Sequence, residues 1–272
     1  MKLLFFCPRW GQEQVEWDEF LRKVKQAGYN GVEASLPFDE KEKALILNSL
    51  QKHGLQFIAQ HWETVEKDFE THCRQYEERL MNLASAKPLF INTQTGKDYY
   101  NFEQNKHLID IARRVSQKTD VKIVHETHRG KFSFAAHVMQ KYLTKIGDLR
   151  ITLDISHWCN TAESLLHDQR EAVETAISRT DHIHSRVGYP EGPQITDPRA
   201  PEWKDALNFH LQCWDKVVET KQLENAALLT ITSEFGAPPY LPLLPYTRQP
   251  VVNQWDINVF MMDLLRRRYS EL

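Results

Sequence analysis

Four consecutive apolar segments of this sequence end in residues that can bind a metal ion or move a proton. The segments are IVHE, ITLD, DHIH and TITSE, which end at Glu126, Asp154, His184 and Glu234. Considered one at a time, each of these four residues is more simply explained as an ordinary polar residue at the end of a strand. Three carboxylates that lie close together repel one another unless a cation lies between them. If the four segments meet, the set predicts a divalent-metal site of three oxygen ligands and one imidazole, suited to Mn²⁺, Mg²⁺ or Co²⁺, with Zn²⁺ possible.

The third segment carries two histidines, His182 and His184, before Arg186 and a Gly-Tyr-Pro turn. Side chains two residues apart on a strand point to the same face. A buried histidine pair without polar partners would cost free energy. A metal site with ligands from elsewhere in the chain explains such a pair.

Eight strand-length apolar runs alternate with eight amphipathic segments of helical pattern. The runs start near residues 2, 29, 55, 88, 121, 150, 181 and 228, and most steps are close to the length of one βα unit. Eight such units predict an α/β fold, a single (β/α)₈ TIM barrel over residues 1–272. A doubly wound open sheet is the competing fold, but the GxGxxG turn of its dinucleotide-binding form is missing.

Two long irregular segments follow the seventh and eighth predicted strands. They are rich in proline and cover Val187–Pro201 and Ala237–Pro250. In a barrel, the loops after the strands build the active site, so both segments are expected beside the four polar residues.

Composition bounds the class of protein. The chain has 272 residues, 41% hydrophobic and 26% charged, with a net charge of −3, which argues against a nucleic-acid partner. Four cysteines without CxxC spacing are typical of free thiols in a reducing compartment. The apolar run near the N-terminus is cut by Pro8, and no stretch approaches a membrane span, so we expect a cytoplasmic protein without a membrane partner.

The motifs HETHRG, LDISHW, HIHSRVG and SEFG together resemble those of the xylose-isomerase-like TIM barrels. This group includes tagatose and psicose epimerases and hydroxypyruvate isomerase. The resemblance covers nearly the whole chain as strand order, and residues 121–236 in motif detail. It implies one divalent metal ion, such as manganese, bound by Glu126, Asp154, His184 and Glu234, with the second histidine of the HxH pair as the ligand. His182 is then expected deeper, hydrogen-bonded inside the barrel.

Two positions depart from the pattern of the epimerases. Those enzymes carry a glutamate six residues after the first metal glutamate, where this chain has Phe132. They also carry an arginine six residues after the metal histidine, where this chain has Pro190; the nearest basic residue is Arg186. The resemblance therefore extends to the four metal ligands, but it does not extend to the residues that would give specificity for ketohexoses.

The chemistry implied is the isomerisation or epimerisation of a sugar or related hydroxy-ketone, as in carbohydrate metabolism. A metal ion stabilises an enediolate by polarising the carbonyl, and a carboxylate within reach moves the proton. Glu126 and Glu234 come from different strands, so one can remove the proton and the other return it. A dehydratase or lyase uses the same chemistry and is not separated from an isomerase by the sequence.

Further residues near the predicted strand ends are candidate substrate contacts, each with strand-end capping, a surface ion pair or lid packing as the plainer explanation. Arginines suit a carboxylate or phosphate, so an acidic or phosphorylated sugar is one possible substrate. Tryptophans offer flat walls for sugar rings. The candidates are His61 and Asn92 at the ends of the third and fourth strands, His157 on the loop after the sixth strand, Arg9, Arg129 and Arg186 at the rim of the barrel, and Trp10 and Trp62 just past strand ends.

Two other functions remain open. Endonuclease IV shares the barrel but needs three zinc ions and an Asp-x-His pair after the seventh strand. Here Asp197 is followed by Pro198 and Arg199, which disfavours the nuclease. A non-catalytic barrel that binds a small ligand is also compatible with the sequence, as is a homo-oligomer.

Overall fold

The computed structural model describes residues 1–270, and the last two residues of the expected domain lie outside this part. Eight parallel strands form a closed barrel in the order β1 to β8, and β8 pairs with β1. The strands are β1 Lys2–Pro8, β2 Gly31–Ala34, β3 Gln56–His61, β4 Ile91–Thr93, β5 Ile123–Glu126, β6 Ile151–Leu153, β7 Thr180–His184 and β8 Leu228–Thr232. The predicted (β/α)₈ fold is therefore confirmed.

Helices connect successive strands on the outside of the barrel. They are α1 Trp17–Gln26, α2 Glu40–His53, α3 Phe69–Ser85, α4 Phe102–Thr119, α5 Ala136–Lys145, α6 Ser156–Thr161, α7 Arg170–Ile177, α8 Lys204–Leu223 and α9 Gln254–Arg268. All eight predicted helical segments contain a helix. The short helix α6 is additional, and it corrects the expectation that His157 lies on an open loop.

Local sequence signals set the ends of several helices. The side chain of Asp39 accepts a hydrogen bond from the backbone of Glu42 at the start of α2. Gly54 ends this helix in the left-handed conformation, with φ of 60°, which glycine adopts without a steric penalty. At the start of α4, Asn101 and Gln104 form a reciprocal capping box. These caps fix where each helix stops and the next strand begins.

The apolar core has two parts. The larger part lies between the strands and the helices and includes Phe20, Leu80 and Trp214. A smaller cluster, Leu4, Phe6, Ile58, Phe90 and Val124, is separate from it. Phe90 contacts the ring of His182, with 5.2 Å between the ring centroids, so this cluster packs beneath the polar residues of the barrel interior.

Within residues 1–270, no helix combines the length and the apolar character needed to cross a membrane.

A network of charges surrounds Asp181 near the start of β7, the end of the strand opposite to His184. Asp181 bonds to Arg150 at 2.6 Å and to Lys221 at 2.7 Å, and it pairs with Lys122 at 2.6 Å. Burial alone would raise the pKa of this carboxyl group, but the hydrogen bond from Arg150 and the charge of Lys122 hold the pKa well below its usual value. Its ion pairs therefore contribute to stability whenever the group is ionised.

We expect Asp181→Asn to lower the free energy of unfolding by about 3 kcal/mol at neutral pH, because the substitution leaves a half-buried cluster of cations without its anion. The folded-state pKa of Asp181 is depressed, so its contribution is fully present above the unfolded pKa of about 4 and is lost as the pH falls through the folded value. Urea unfolding at several pH values checks this. A difference from the wild type that grew below about pH 4 would contradict it.

Candidate active site

The four polar residues singled out from the sequence meet at the carboxyl ends of β5 to β8. Glu126, Asp154, His184 and Glu234 are all buried, and each offers a ligand atom within 4.8 Å of those of the others. The Nδ1 atom of His184 lies 2.8 Å from one oxygen of Glu234 and 3.8 Å from one of Glu126. We call these four residues the carboxylate–histidine cluster.

The imidazole of His184 is oriented so that its Nδ1 atom faces the carboxylates. Its other nitrogen, Nε2, lies 3.1 Å from both carboxylate oxygens of Glu33 and donates to them. Nδ1 lies 2.8 Å from an oxygen of Glu234. Burial would lower the pKa of His184, but the charges of Glu234 and Glu33 raise it well above its usual value. A buried imidazole nitrogen that faces several carboxylates is part of a donor set that fits a divalent cation.

Arg186 occupies an unexpected place beside this cluster. Its guanidinium group is fully buried and donates hydrogen bonds to Asp154, to Ser156 at 3.1 Å and to the Nε2 atom of His157 at 2.5 Å. Another nitrogen of the group lies 3.6 Å from Glu234. The arginine therefore neutralises part of the buried negative charge and is not a free group at the rim.

Burial and mutual repulsion shift the acidity of the clustered groups. Burial raises the pKa of Glu126 to about 8, against the attraction of His184 and with the support of the charges of Glu234 and Asp154. Burial would also raise the pKa of Glu234, but the charges of His184 and Arg186 hold it below its usual value. The two glutamates therefore differ in acidity despite their proximity.

A cavity of about 670 Å³ opens onto the cluster. Two of the four clustered residues, Glu126 and Glu234, also line this cavity, as does Arg186. The side-chain nitrogen of Gln94 donates to Glu126 at 3.3 Å, and that of Gln60 donates to Glu234 at 3.0 Å. Each of these two glutamates of the cluster thus accepts a hydrogen bond from a glutamine of the cavity wall.

Three of the candidate substrate contacts in addition to Arg186 line the cavity: Arg9, Trp10 and Trp62. Trp62 is half-exposed at the end of β3, and the ring of Trp10 packs edge-on against Tyr240, with 5.0 Å between centroids. Arg9 lies over the rings of Trp17 and Phe20, which removes much of its side chain from solvent.

Four other candidates do not belong to the cavity lining. His61 is enclosed, and its two ring nitrogens bond to the hydroxyl groups of Thr93 and Thr64. Asn92 lies inside the barrel and donates to Glu33 and Glu126 at 2.8 and 3.2 Å. His157 and Arg129 likewise do not line the cavity.

His157 is fully buried in α6, where its ring accepts a hydrogen bond from Arg186. Burial and the charges of His128 and Arg186 lower the pKa of His157 well below its usual value, so the ring is neutral near pH 7. The exposed guanidinium group of Arg129 donates to Asn160 at 3.3 Å and lies 5.0 Å from the ring centroid of Tyr240, which lines the cavity. His157 therefore contacts Arg186 and Arg129 contacts Tyr240, and a substrate contact by either residue stays a prediction.

Several residues at the site were not assigned a role from the sequence. Gln60, His128 and Tyr240 line the cavity, and Glu33 lies behind His184. Glu33 is a charged residue within the short buried strand GVEA, which is a readable signal of an inward polar group. Tyr240 lies in the irregular segment after β8, where no periodicity indicates which side chains face inward.

The fold is shared with solved structures of xylose-isomerase-like barrels. The probable 3-DHS dehydratase AsbF from Bacillus anthracis is 15% identical, with a TM-score of 0.63, covering 98% of this chain and 100% of that protein. D-allulose 3-epimerase from Methylomonas sp. is 15% identical, with a TM-score of 0.61 and 98% of each chain covered. Endonuclease IV from Thermus thermophilus is 10% identical, with a TM-score of 0.60, covering both chains fully. The chain therefore has the fold of the xylose-isomerase-like TIM barrels.

By sequence, the chain is similar to inosose dehydratase from Mesomycoplasma hyopneumoniae, with 22% identity over 191 residues. This similarity covers 62% of the chain and 62% of the length of that relative. No family model matches the sequence.

We expect Mn²⁺ to stabilise the protein, because an ion that binds only the folded state adds about 2.7 kcal/mol at a concentration 100 times its dissociation constant. Asp154→Asn should abolish most of this gain, since it removes one anionic ligand. Thermal unfolding with added Mn²⁺ and with EDTA measures the gain.

The matched control for this measurement is Asp181→Asn, which changes a partly buried, paired aspartate at the other end of the barrel. It should lower the overall stability and leave the Mn²⁺-dependent gain unchanged. Equal unfolding temperatures for the wild type in Mn²⁺ and in EDTA would remove the metal site from consideration.

Proposed function

We propose that the protein is a divalent-metal-dependent enzyme that isomerises or epimerises a sugar or related hydroxy-ketone. The observation that carries this proposal is that two glutamates of the carboxylate–histidine cluster, Glu126 and Glu234, also line the cavity. Asp154 and His184 belong to the cluster alone. The two glutamates can therefore contact a substrate carbon while the other two residues face only the cluster.

The four residues of the cluster would hold the metal ion. When bound, such an ion supplies Lewis-acid polarisation of a substrate carbonyl. Removal of a proton from the neighbouring carbon requires a carboxylate within hydrogen-bond reach, and Glu126 and Glu234 approach from β5 and from beyond β8. One glutamate, ionised at the start, takes up the proton, and the other, protonated at the start, donates its own proton to the enediolate.

The two glutamines keep these carboxylates aimed at the cavity. Gln60 donates to one oxygen of Glu234, and Gln94 lies within 3.4 Å of both oxygens of Glu126. Arg186 restrains Asp154 from the side, and its guanidinium group also faces the cavity beside Tyr240, at 5.0 Å from the ring centroid. It is the group best placed to donate a hydrogen bond to a substrate oxygen next to the reacting carbon.

We propose a neutral polyhydroxy ketone as the substrate. More glutamates than arginines line the cavity, which disfavours a carboxylate or phosphate group. Two of the three lining arginines already have partners, since Arg79 donates to the backbone oxygen of Leu36 and Arg186 donates to Asp154. The charged lining residues are Glu13, Glu42, Glu63, Glu126, Glu234, Arg9, Arg79 and Arg186.

A dehydratase is the second candidate function. It is favoured by the relative named inosose dehydratase, which this chain resembles over part of its length. The same removal of a proton next to a carbonyl precedes the loss of a hydroxyl group in such a reaction. The nuclease is disfavoured because Asp197 pairs with Arg199 at 2.6 Å and belongs to none of the candidate metal clusters among residues 1–270.

We expect the Mn²⁺-loaded protein to exchange a carbon-bound hydrogen of its substrate with solvent in D₂O. The probes are D-allulose and other ketohexoses, 3-keto-glucosides and inosose, followed by NMR spectroscopy. Glu126→Gln and Glu234→Gln should each reduce the exchange rate by about 10²- to 10⁴-fold, because each removes a group that moves the proton. New sugar signals identify an isomerase or epimerase, and loss of water identifies a dehydratase.

The control is Glu219→Gln, which changes an exposed glutamate on α8 and should leave the rate unaltered. Full exchange by Glu126→Gln would refute the assigned role of that residue. Binding of a probe by NMR without any exchange would favour a non-catalytic barrel.

A further inference from the structure

Another buried carboxylate of the barrel interior is that of Glu33, which lies outside the carboxylate–histidine cluster. It is fully buried on β2, and within residues 1–270 it has no arginine or lysine partner. Its partners are neutral donors and two imidazoles, and they surround both oxygens. The contacts are Asn92 Nδ2 at 2.8 Å, Thr232 Oγ1 at 2.5 Å, His182 Nε2 at 3.1 Å and His184 Nε2 at 3.1 Å.

Glu33 spans the barrel interior from one wall to another. In the closed sheet, β1 and β8 lie between its own strand, β2, and the strand of the two histidines, β7. The carboxylate therefore crosses beneath the cluster to reach His184. Thr232, which pairs in register with His184, donates to the same carboxylate from the strand in between. Because residues of β4, β7 and β8 all hydrogen-bond to it, the carboxylate of Glu33 is fixed in one position.

This position determines which atom of His184 faces the cluster. Because Nε2 donates to Glu33, the ring is held with Nδ1 towards Glu126 and Glu234. A histidine that binds a metal ion through one nitrogen typically donates from the other to a carboxylate, which fixes the ring and strengthens the ligand. The contact from Glu33 is of this kind.

The companion residue His182 accounts for the HxH spacing. Its Nδ1 atom lies 2.7 Å from the hydroxyl oxygen of Thr230, and its Nε2 atom lies 3.1 Å from Glu33. His182 thus helps to fix the carboxylate of Glu33, and that carboxylate in turn accepts the hydrogen bond from His184.

We propose that Glu33 is a positioning residue that orients His184 as a metal ligand through Nδ1. This inference rests on the metal centre of the proposed function, and it adds Glu33 as a residue that supports the centre without contacting the ion. The residues Glu33, His182 and His184 also lie close enough to form a separate metal cluster, and the proposal assigns them to support of the ligand instead.

The test compares wild-type protein with Glu33→Gln, a substitution of the same shape that removes the charge. Titration with Mn²⁺ followed by electron paramagnetic resonance should show a 10- to 100-fold weaker affinity, the usual effect of losing such a supporting group. In protein labelled with ¹⁵N-histidine, the Nε2 proton of His184 should move upfield and exchange faster, because an amide oxygen is a weaker acceptor than a carboxylate. This second readout needs no metal ion.

The matched control is Thr93→Val, which removes a buried hydroxyl of β4 that bonds to His61 and not to His184. It should change neither readout. If Glu33→Gln does not fold, Thr232→Val replaces it, because that variant removes one donor to Glu33 and should weaken Mn²⁺ binding by about threefold to tenfold.

The outcomes separate the two proposals. Wild-type protein that binds no Mn²⁺ defeats the metal centre of the proposed function, while the Nε2 proton still reports whether Glu33 holds His184. Unchanged affinity and an unchanged proton signal in Glu33→Gln overturn the role of Glu33. Two Mn²⁺ ions per wild-type chain, with one lost in Glu33→Gln, would make Glu33 a ligand and also overturn it.

Discussion

The constraint on which the site depends is the crowding of four buried carboxylates at one end of a closed barrel. Glu33, Glu126, Asp154 and Glu234 all lie inside the protein, where the charged form is costly unless it is paired. Arg186 is the one arginine in contact with them among the described residues, and it reaches two of the four. Negative charge therefore remains in excess, and the surrounding structure is arranged to accommodate it.

The barrel architecture accommodates this excess because its strands deliver hydrogen-bond donors at several depths. Thr232, Asn92 and the two imidazoles of β7 surround Glu33 in the deepest layer. Above them, the cluster opens towards the cavity, where a small cation can reach it. The apolar cluster around Phe6 and Phe90 fills the interior beneath, so the polar layers are confined to the carboxyl end of the strands.

The sequence predicted the fold and the meeting of the four residues because both follow from periodicity. The spacing of apolar runs defines the βα units, and the last inward residue of each strand then lies at a known end of the barrel. Their role as metal ligands stays a prediction. The short helix that buries His157 has six residues, too few for a helical pattern, so an open loop was the natural expectation.

Arg186 and Glu33 show what periodicity does not determine. Alternation on a strand gives the face of a residue but not the direction of a long flexible side chain, so Arg186 was expected at the rim although it turns inward to Asp154. The contact between Glu33 and His184 joins residues 151 positions apart on strands that are not neighbours. Its existence depends on the tilt and stagger of the closed sheet, which no local pattern encodes.

The geometry divides the cluster into an enclosed half and an accessible half, and this division limits the chemistry. Asp154 is held by Ser156 and Arg186, and His184 by Glu33, so neither can turn towards a substrate without losing its buried partners. Glu126 is hydrogen-bonded by Gln94 and Asn92, which are neutral donors and weaker restraints than an ion pair. Glu234 accepts from Gln60 and also faces His184 and Arg186. A group that takes up and returns a proton must tolerate both of its charge states, and the neutral partners of Glu126 permit this more readily than the cation beside Glu234. Under the proposed function, the same pair of glutamates would serve isomerisation, epimerisation or dehydration, and the choice among these reactions would depend on the cavity wall, which includes His128 and Tyr240.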